Sequence, residues 1–365
     1  MRFLPGLLAA TFLFVANGGA RGVAADEPRL VFLDNDFLGP GGSNIQSLIP
    51  LLAAPRVRLL GIGVVTGDAW RQEEVQHLLR FLEIAGRTDI SVHPGAEMPL
   101  LRTQREMAEW EGRFGRIAWK GAWNAPKTGR HYHPDDPALV PPMPEGAPAA
   151  RPSDVDAATA LVRAVRSHPH QVTIVAAGPL TDIALAVRIA PDIAALARGL
   201  VFMGGLVDTN MRQVTGNADY ATDFNFLFDP EAAHIVLTAP WARITAVGDV
   251  STGIVMTNEM ADRIGRGDRP ENRYVARFAR RGQPFWDEIT TAVAIDPSLI
   301  RQEVAVRMDV DLARGPDYGR AVLSRPDAAS IPGSAPANAP VTHLVQSIDA
   351  ERFLASFERW AAGGG

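Results

Sequence analysis

The stretch 33–48, LDNDFLGPGGSNIQSL, sets Asp34 and Asp36 on either side of Asn35, then adds a glycine-rich turn and Ser43-Asn44. Such a loop can cradle a phosphate, hold a hard cation, or simply turn the chain. A phosphate cradle needs Gly-x4-Gly-Lys-Ser/Thr, and nothing basic follows Gly41-Gly42; the dinucleotide fingerprint also fails, for want of a third glycine at the required offset. A calcium-type cation takes several oxygens, mixing carboxylates with amide and backbone carbonyls, and Asp34, Asp36 and Asn44 supply such oxygens. Acidic residues at a strand end also form turns and cap helices, so the loop by itself leaves both readings open. A second polar stretch, GNADYATDFNFLFDPEAAHIVL at 216–237, gathers Asn217, Asp223 and Asn225 ahead of a helix expected to begin near Asp229, where Pro230 suits the first turn. Carboxamides and carboxylates offer donors and acceptors in a fixed plane, which suits gripping vicinal hydroxyls; the plainer reading is that they satisfy loop backbone.

The other candidate groups are aromatic or imidazole. His77 and His234 fall in helical patterns and read as packing or surface residues. His131 and His133 lie in an aromatic-rich stretch and are better placed to meet a small molecule. Trp119 and Trp123 in the same stretch either stack on a flat ligand or pin the segment to the body.

Five apolar runs carry these residues: RLVFLD (29–34), VRLLGIGVVTGD (57–68), QVTIVAAGPLTD (171–182), GLVFMGG (199–205) and ITAVGDVS (244–251). Near-continuous apolar strands alternating with helical patterns indicate a mostly parallel sheet with helices on both faces, an α/β fold with a Rossmann-like core. Ligands of such sheets bind beyond the carboxyl ends of the strands, where Asp34, Asp36, Asp68, Ala177, Met203 and Asp249 all fall. From about 100 to 152 the pattern changes to tryptophan, proline and histidine, which reads as an insertion or lid near the site. The tail DAERFLASFERW has helical periodicity and is expected to dock on the body.

Residues 1–25 combine Arg2, an apolar run from Phe3 to Ala16 and the small residues Val23-Ala24-Ala25, the layout of a secretory signal peptide. Residues 26–365 then read as one domain, exported to the periplasm or medium, with no membrane association once the signal is removed. The chain holds 365 residues with 47% hydrophobic and 21% charged, enough for a large core. A net charge of −5 with no long basic run argues against a nucleic-acid partner. The absence of cysteine excludes disulfides, thiolate metal sites and thiol nucleophiles.

Taken in order along the chain, these blocks resemble the inosine-uridine preferring nucleoside hydrolase family. The family's opening D-x-D-P-G-x-D-D is similar to Asp34-Asn35-Asp36 and, across a longer turn, Ser43-Asn44. Its V-x-G-N resembles Val65-Thr66-Gly67-Asp68. AAGPLTDIALA, FMGG, GNADYATDFNFLFDPEAA, VGDVS and WDEITTAVAIDPSLI resemble five further blocks. The resemblance implies hydrolysis of the N-glycosidic bond of ribonucleosides, with calcium and a water deprotonated by Asp36. It places Asp34, Asp36, Asn44, the Ala177 carbonyl and Asp287 at the metal. It places Asp68, Met203, Asn217, Asp223, Asn225 and Trp286 at the substrate, and by analogy a homo-oligomer. The chain departs from the pattern at Ser43-Asn44, which replaces two aspartates, and at Asp223, a shortened glutamate. Trp286 stands where many members carry a histidine, so acid catalysis by that histidine is absent. Two alternatives stand beside this reading. One is an exported nucleoside- or sugar-binding protein of the same fold without turnover. The other is an aspartyl-phosphate phosphatase, disfavoured because the only lysines are Lys120 and Lys127, both inside the insertion.

Overall fold

A computed structural model describes residues 28–117, 119–124, 136–206, 223–327 and 335–364. The expected signal segment therefore lies outside the described residues, as do Asn217, His131 and His133. The strands are β1 (Arg29–Asn35), β2 (Val57–Val64), β3 (Val92–Pro94), β4 (Val172–Ala176), β5 (Gly199–Met203), β6 (Ile244–Val247), β7 (Ile300–Val310), β8 (Ala321–Ser324) and β9 (Val341–Ile348). They form one nine-stranded sheet in the order β3-β2-β1-β4-β5-β6-β9-β7-β8. The pairs from β3 through to β9 are parallel, and β7 runs antiparallel to both β9 and β8.

The alternation of side chains along each strand feeds two cores. Val31, Leu33, Ile62, Val64 and Val175 face one core, packed by the helices Leu48–Ala53, Arg71–Ile84, Trp286–Ile295 and Ala350–Ala361. Leu30, Phe32, Ile174, Leu200 and Phe202 face the other, beneath the helices Ala157–Ser167, Thr181–Ile189 and Pro230–Leu237. Both faces of β1 are thus covered, which is why the run reads as apolar without a break.

The strand order reverses at β1, whose neighbours are β2 and β4. The chain crosses to opposite sides of the sheet at that point, and a crevice opens beyond the carboxyl ends of β1 and β4. The glycines there have a steric reason. A Cβ on Gly67 would lie 2.2 Å from Asp36 Oδ2, and one on Gly178 would lie 2.8 Å from the Asp36 amide nitrogen.

The described part of the insertion packs on the body. Its helix Gln104–Phe114 starts at a capping box between Thr103 and Glu106. Met107, Ile117, Ala122 and Trp123 then pack on Trp70, Leu227 and Phe228 of the body. Trp123 stacks on Phe228 with ring centroids 4.3 Å apart, so it pins the segment. The C-terminal helix Ala350–Ala361 buries Phe353, Phe357 and Trp360 against Phe285 and its neighbours, the docking that its periodicity foretells. No helix among the described residues is long and apolar enough to cross a membrane.

Candidate active site

A cavity of about 520 Å³ opens at the switch point. Asp36, Asn44, Asp68, the Ala177 residue and Asp287 line its floor. Ile117, Trp119, Leu206, Phe224 and Trp286 form its walls, with Arg280 and Gln283 at the side where the loop before the helix Trp286–Ile295 passes.

Asp36 lies just past the end of β1 and is 1% exposed. Its Oδ1 accepts a hydrogen bond from Asn44 Nδ2 at 2.9 Å, and its Oδ2 accepts one from the Asp68 amide at 2.9 Å. Its own amide donates to Asn35 Oδ1 at 2.9 Å. Asn35 in turn donates to Asp287 Oδ2 at 3.1 Å, which links the first strand to the start of a helix far away in sequence. Ser43 completes the frame: its hydroxyl accepts the Asp287 amide at 2.8 Å and donates to Glu288 at 2.5 Å.

Burial drives the electrostatics. It holds the Asp36 carboxyl well above the usual range, with repulsion from Asp68 and Asp287 adding to it. Burial likewise pushes Asp287 up to about 8, against the Asn35 hydrogen bond, with Asp68 repulsion adding. Glu288, behind it, rises to about 8 for the same first reason. Among the described residues no Lys, Arg or His is ion-paired with Asp36 or Asp287. Nor do three acidic or histidine side chains among them converge as a ready cage for an ion. The donors gathered here are two buried carboxylates, the Asn44 amide oxygen and the Ala177 carbonyl, all hard oxygens of the kind that calcium takes. Buried carboxylates without a cation are costly, so this donor set fits a hard divalent ion.

The structure places Asp34 elsewhere. Asp34 shares the face of Leu30 and Phe32, so it points away from the cavity and meets Asp182 on the helix Thr181–Ile189. Both groups are fully buried, and burial, with Asp182 beside it, holds Asp34 well above the usual carboxylate range. The resemblance-based ligand set therefore loses Asp34, because the pleat sends residues 34 and 35 to opposite faces.

Met203, Asp223 and Asn225 do come together at the cavity. Asp223 caps the helix Phe224–Phe228 and accepts the amides of Gly205 at 2.5 Å and Leu206 at 3.0 Å. Asn225 donates to the Ala177 carbonyl at 2.8 Å and to the Met203 carbonyl at 3.2 Å. Asp249 is not among the residues lining the cavity. His77 and His234 lie away from it, bonded to Glu145 and Asp309 respectively. Lining residues to which the sequence gives no role include Ile117 and Arg280. Their sequence context, an apolar residue in the insertion and an arginine before a helix, carries no distinctive signal.

An acidic crevice at the switch point of a doubly covered, mostly parallel sheet puts the molecule among the α/β proteins that bind a small ligand beyond the strand ends. The family model described as inosine-uridine preferring nucleoside hydrolase matches residues 31–355, and the chain belongs to that family. Its enzymatic class is accordingly N-ribohydrolase. An inosine-uridine preferring nucleoside hydrolase of Leishmania major is 27% identical over 300 residues, covering 78% of this chain and 84% of the relative. A pyrimidine-specific ribonucleoside hydrolase of Salmonella newport is 29% identical over 273 residues, covering 71% and 78%. Among solved structures, a plant nucleoside hydrolase superposes with a TM-score of 0.70 at 21% identity, covering 92% of this chain and 99% of that one. At that identity the likeness speaks for the fold.

Proposed function

We propose that this enzyme hydrolyses the N-glycosidic bond of ribonucleosides, releasing free base and ribose, with calcium bound at the cavity floor. The observation that carries the reading is the pair of buried carboxylates, Asp36 and Asp287, without a cationic partner among the described residues at the bottom of an aromatic-walled cavity. Asp36, Asp287, Asn44 and the Ala177 carbonyl would hold the ion. When bound, calcium would supply Lewis acidity that lowers the pKa of a neighbouring water and positive charge that favours sugar hydroxyl oxygens.

The remaining work falls to the chain's own residues. Asp36 takes the proton from the attacking water, and the hydrogen bonds from the Asn44 side chain and the Asp68 amide fix its plane. Asp223, Asn225 and Met203 orient the sugar by position, with Asn217 as the further residue implied by the resemblance. Trp286, Phe224 and Trp119 offer flat apolar surface to the leaving base. No histidine lines the cavity among the described residues.

The relatives differ in the bases for which they are named, and base preference here follows from the wall residues of this chain. The test is a panel of purine and pyrimidine nucleosides assayed for free ribose, with calcium and with chelator. Metal-dependent release from at least one nucleoside is expected. Tight nucleoside binding with no release under any metal would replace this reading by that of a binding protein without turnover.

A further inference from the structure

Asp36 has a neighbour on each of its carboxylate oxygens, Asn44 on Oδ1 and Asp68 on Oδ2. The first carries a neutral amide and the second a carboxylate. The block Val65–Asp68 ends in aspartate where the family motif ends in asparagine, while Asn44 stands where that motif has aspartate. Ser43-Asn44 leaves two carboxylates missing on one flank of Asp36, and Asp68 adds one on the other.

We infer that Asp68 supplies the negative charge that position 44 lacks, so that the cation site regains, on the other side of Asp36, one of the two carboxylates it lost. The inference rests on the calcium reading given above. Asp68 acts one hydrogen bond out from the ligands. Its amide holds Asp36, and its carboxylate is held at the cavity by the Trp119 indole N–H, 2.5 Å from Asp68 Oδ1. Asp68 lines the same cavity as both proposed carboxylate ligands, Asp36 and Asp287, with its amide 2.9 Å from Asp36 Oδ2. A third carboxylate beside two others favours a dication among them by its field. Trp119 comes from the insertion, so the segment that roofs the cavity also sets the direction of this charge.

Asp68→Asn isolates the charge, because an asparagine oxygen still accepts the indole hydrogen bond and the backbone contact to Asp36 is untouched. Calcium titration calorimetry on the full chain would compare wild type, Asp68→Asn, Asn44→Asp and the double variant, with thermal melting in chelator to check folding. Asp68→Asn is expected to weaken calcium binding about tenfold, and Asn44→Asp to tighten it, since ligand charge is a main determinant of calcium affinity. The double variant should return to within about threefold of wild type. Asp68→Glu, which keeps the charge, should also stay within about threefold. Unchanged calcium affinity in Asp68→Asn would overturn the inference while leaving the calcium reading intact, as would an equal loss in Asp68→Glu, which would make shape the cause. A wild-type chain that binds no calcium would overturn the reading on which both rest.

Discussion

Asp287 joins the chain's first strand to a helix more than two hundred residues later, through Asn35 and Ser43. Asn35 donates to its carboxylate and Ser43 accepts from its amide, so among the described residues these neutral partners hold Asp287 without neutralising it. Asp287→Ala should therefore abolish ribohydrolase activity and also the rise in melting temperature produced by added calcium, because a ligand stabilises only through sites that bind it in the native state. A mutant that melts higher in calcium by the same margin as wild type would place the ion elsewhere. At this scale much of the site was legible. Asp36, Asn44, Ala177, Met203, Asp223, Asn225 and Asp287 are all assembled at one cavity. Asp34 was misread because an Asp-x-Asp spacing suggests one shared face. Asp36 in fact lies past the strand end, while Asp34 still obeys the pleat and turns to Asp182.

Among the elements, the helix Pro230–Leu237 shows how a buried carboxylate ties three segments together. Asp229 caps it, accepting the Ala232 amide, the Leu100 amide and the Thr181 hydroxyl. Burial pushes Asp229 from an ordinary 3.8 to about 6. The folded state thus binds the proton more tightly than the unfolded chain. Its stabilising share is full below about pH 3.8 and is lost as pH rises through about 6. The difference, about 2 units, corresponds to about 3 kcal/mol. In chelator, the urea midpoint of wild type should fall between pH 4 and 7 more steeply than that of Asp229→Asn. Identical slopes would show that Asp229 ionises without cost. The five apolar runs were legible as strands because both faces of each are covered and no polar alternation interrupts them. β3 escaped notice as three residues including a histidine and a proline. β7 did so because its first half is exposed and charged, so its burial pattern only becomes strand-like after Val304.

For the whole molecule, the two cores and the sheet between them serve to bring residues from the first strand, the central strand ends and a late helix to one floor. The insertion closes over that floor, anchored by Trp123 on Phe228 and by the Trp110 indole on the Gly315 carbonyl at 2.8 Å. Fold class and the course of the chain could be read from the spacing of apolar runs. The long-range meetings of Asn35 with Asp287, and of Trp119 with Asp68, could not, because no local pattern encodes a contact between distant segments. The most direct measurement strips the protein of divalent ions and follows ribose release from a hydrolysed nucleoside as calcium is added back. Activity should be absent in the stripped protein and rise to saturation with one calcium per chain. Full turnover by the stripped protein, with chelator still present, would contradict hydrolysis at a calcium site held by Asp36 and Asp287.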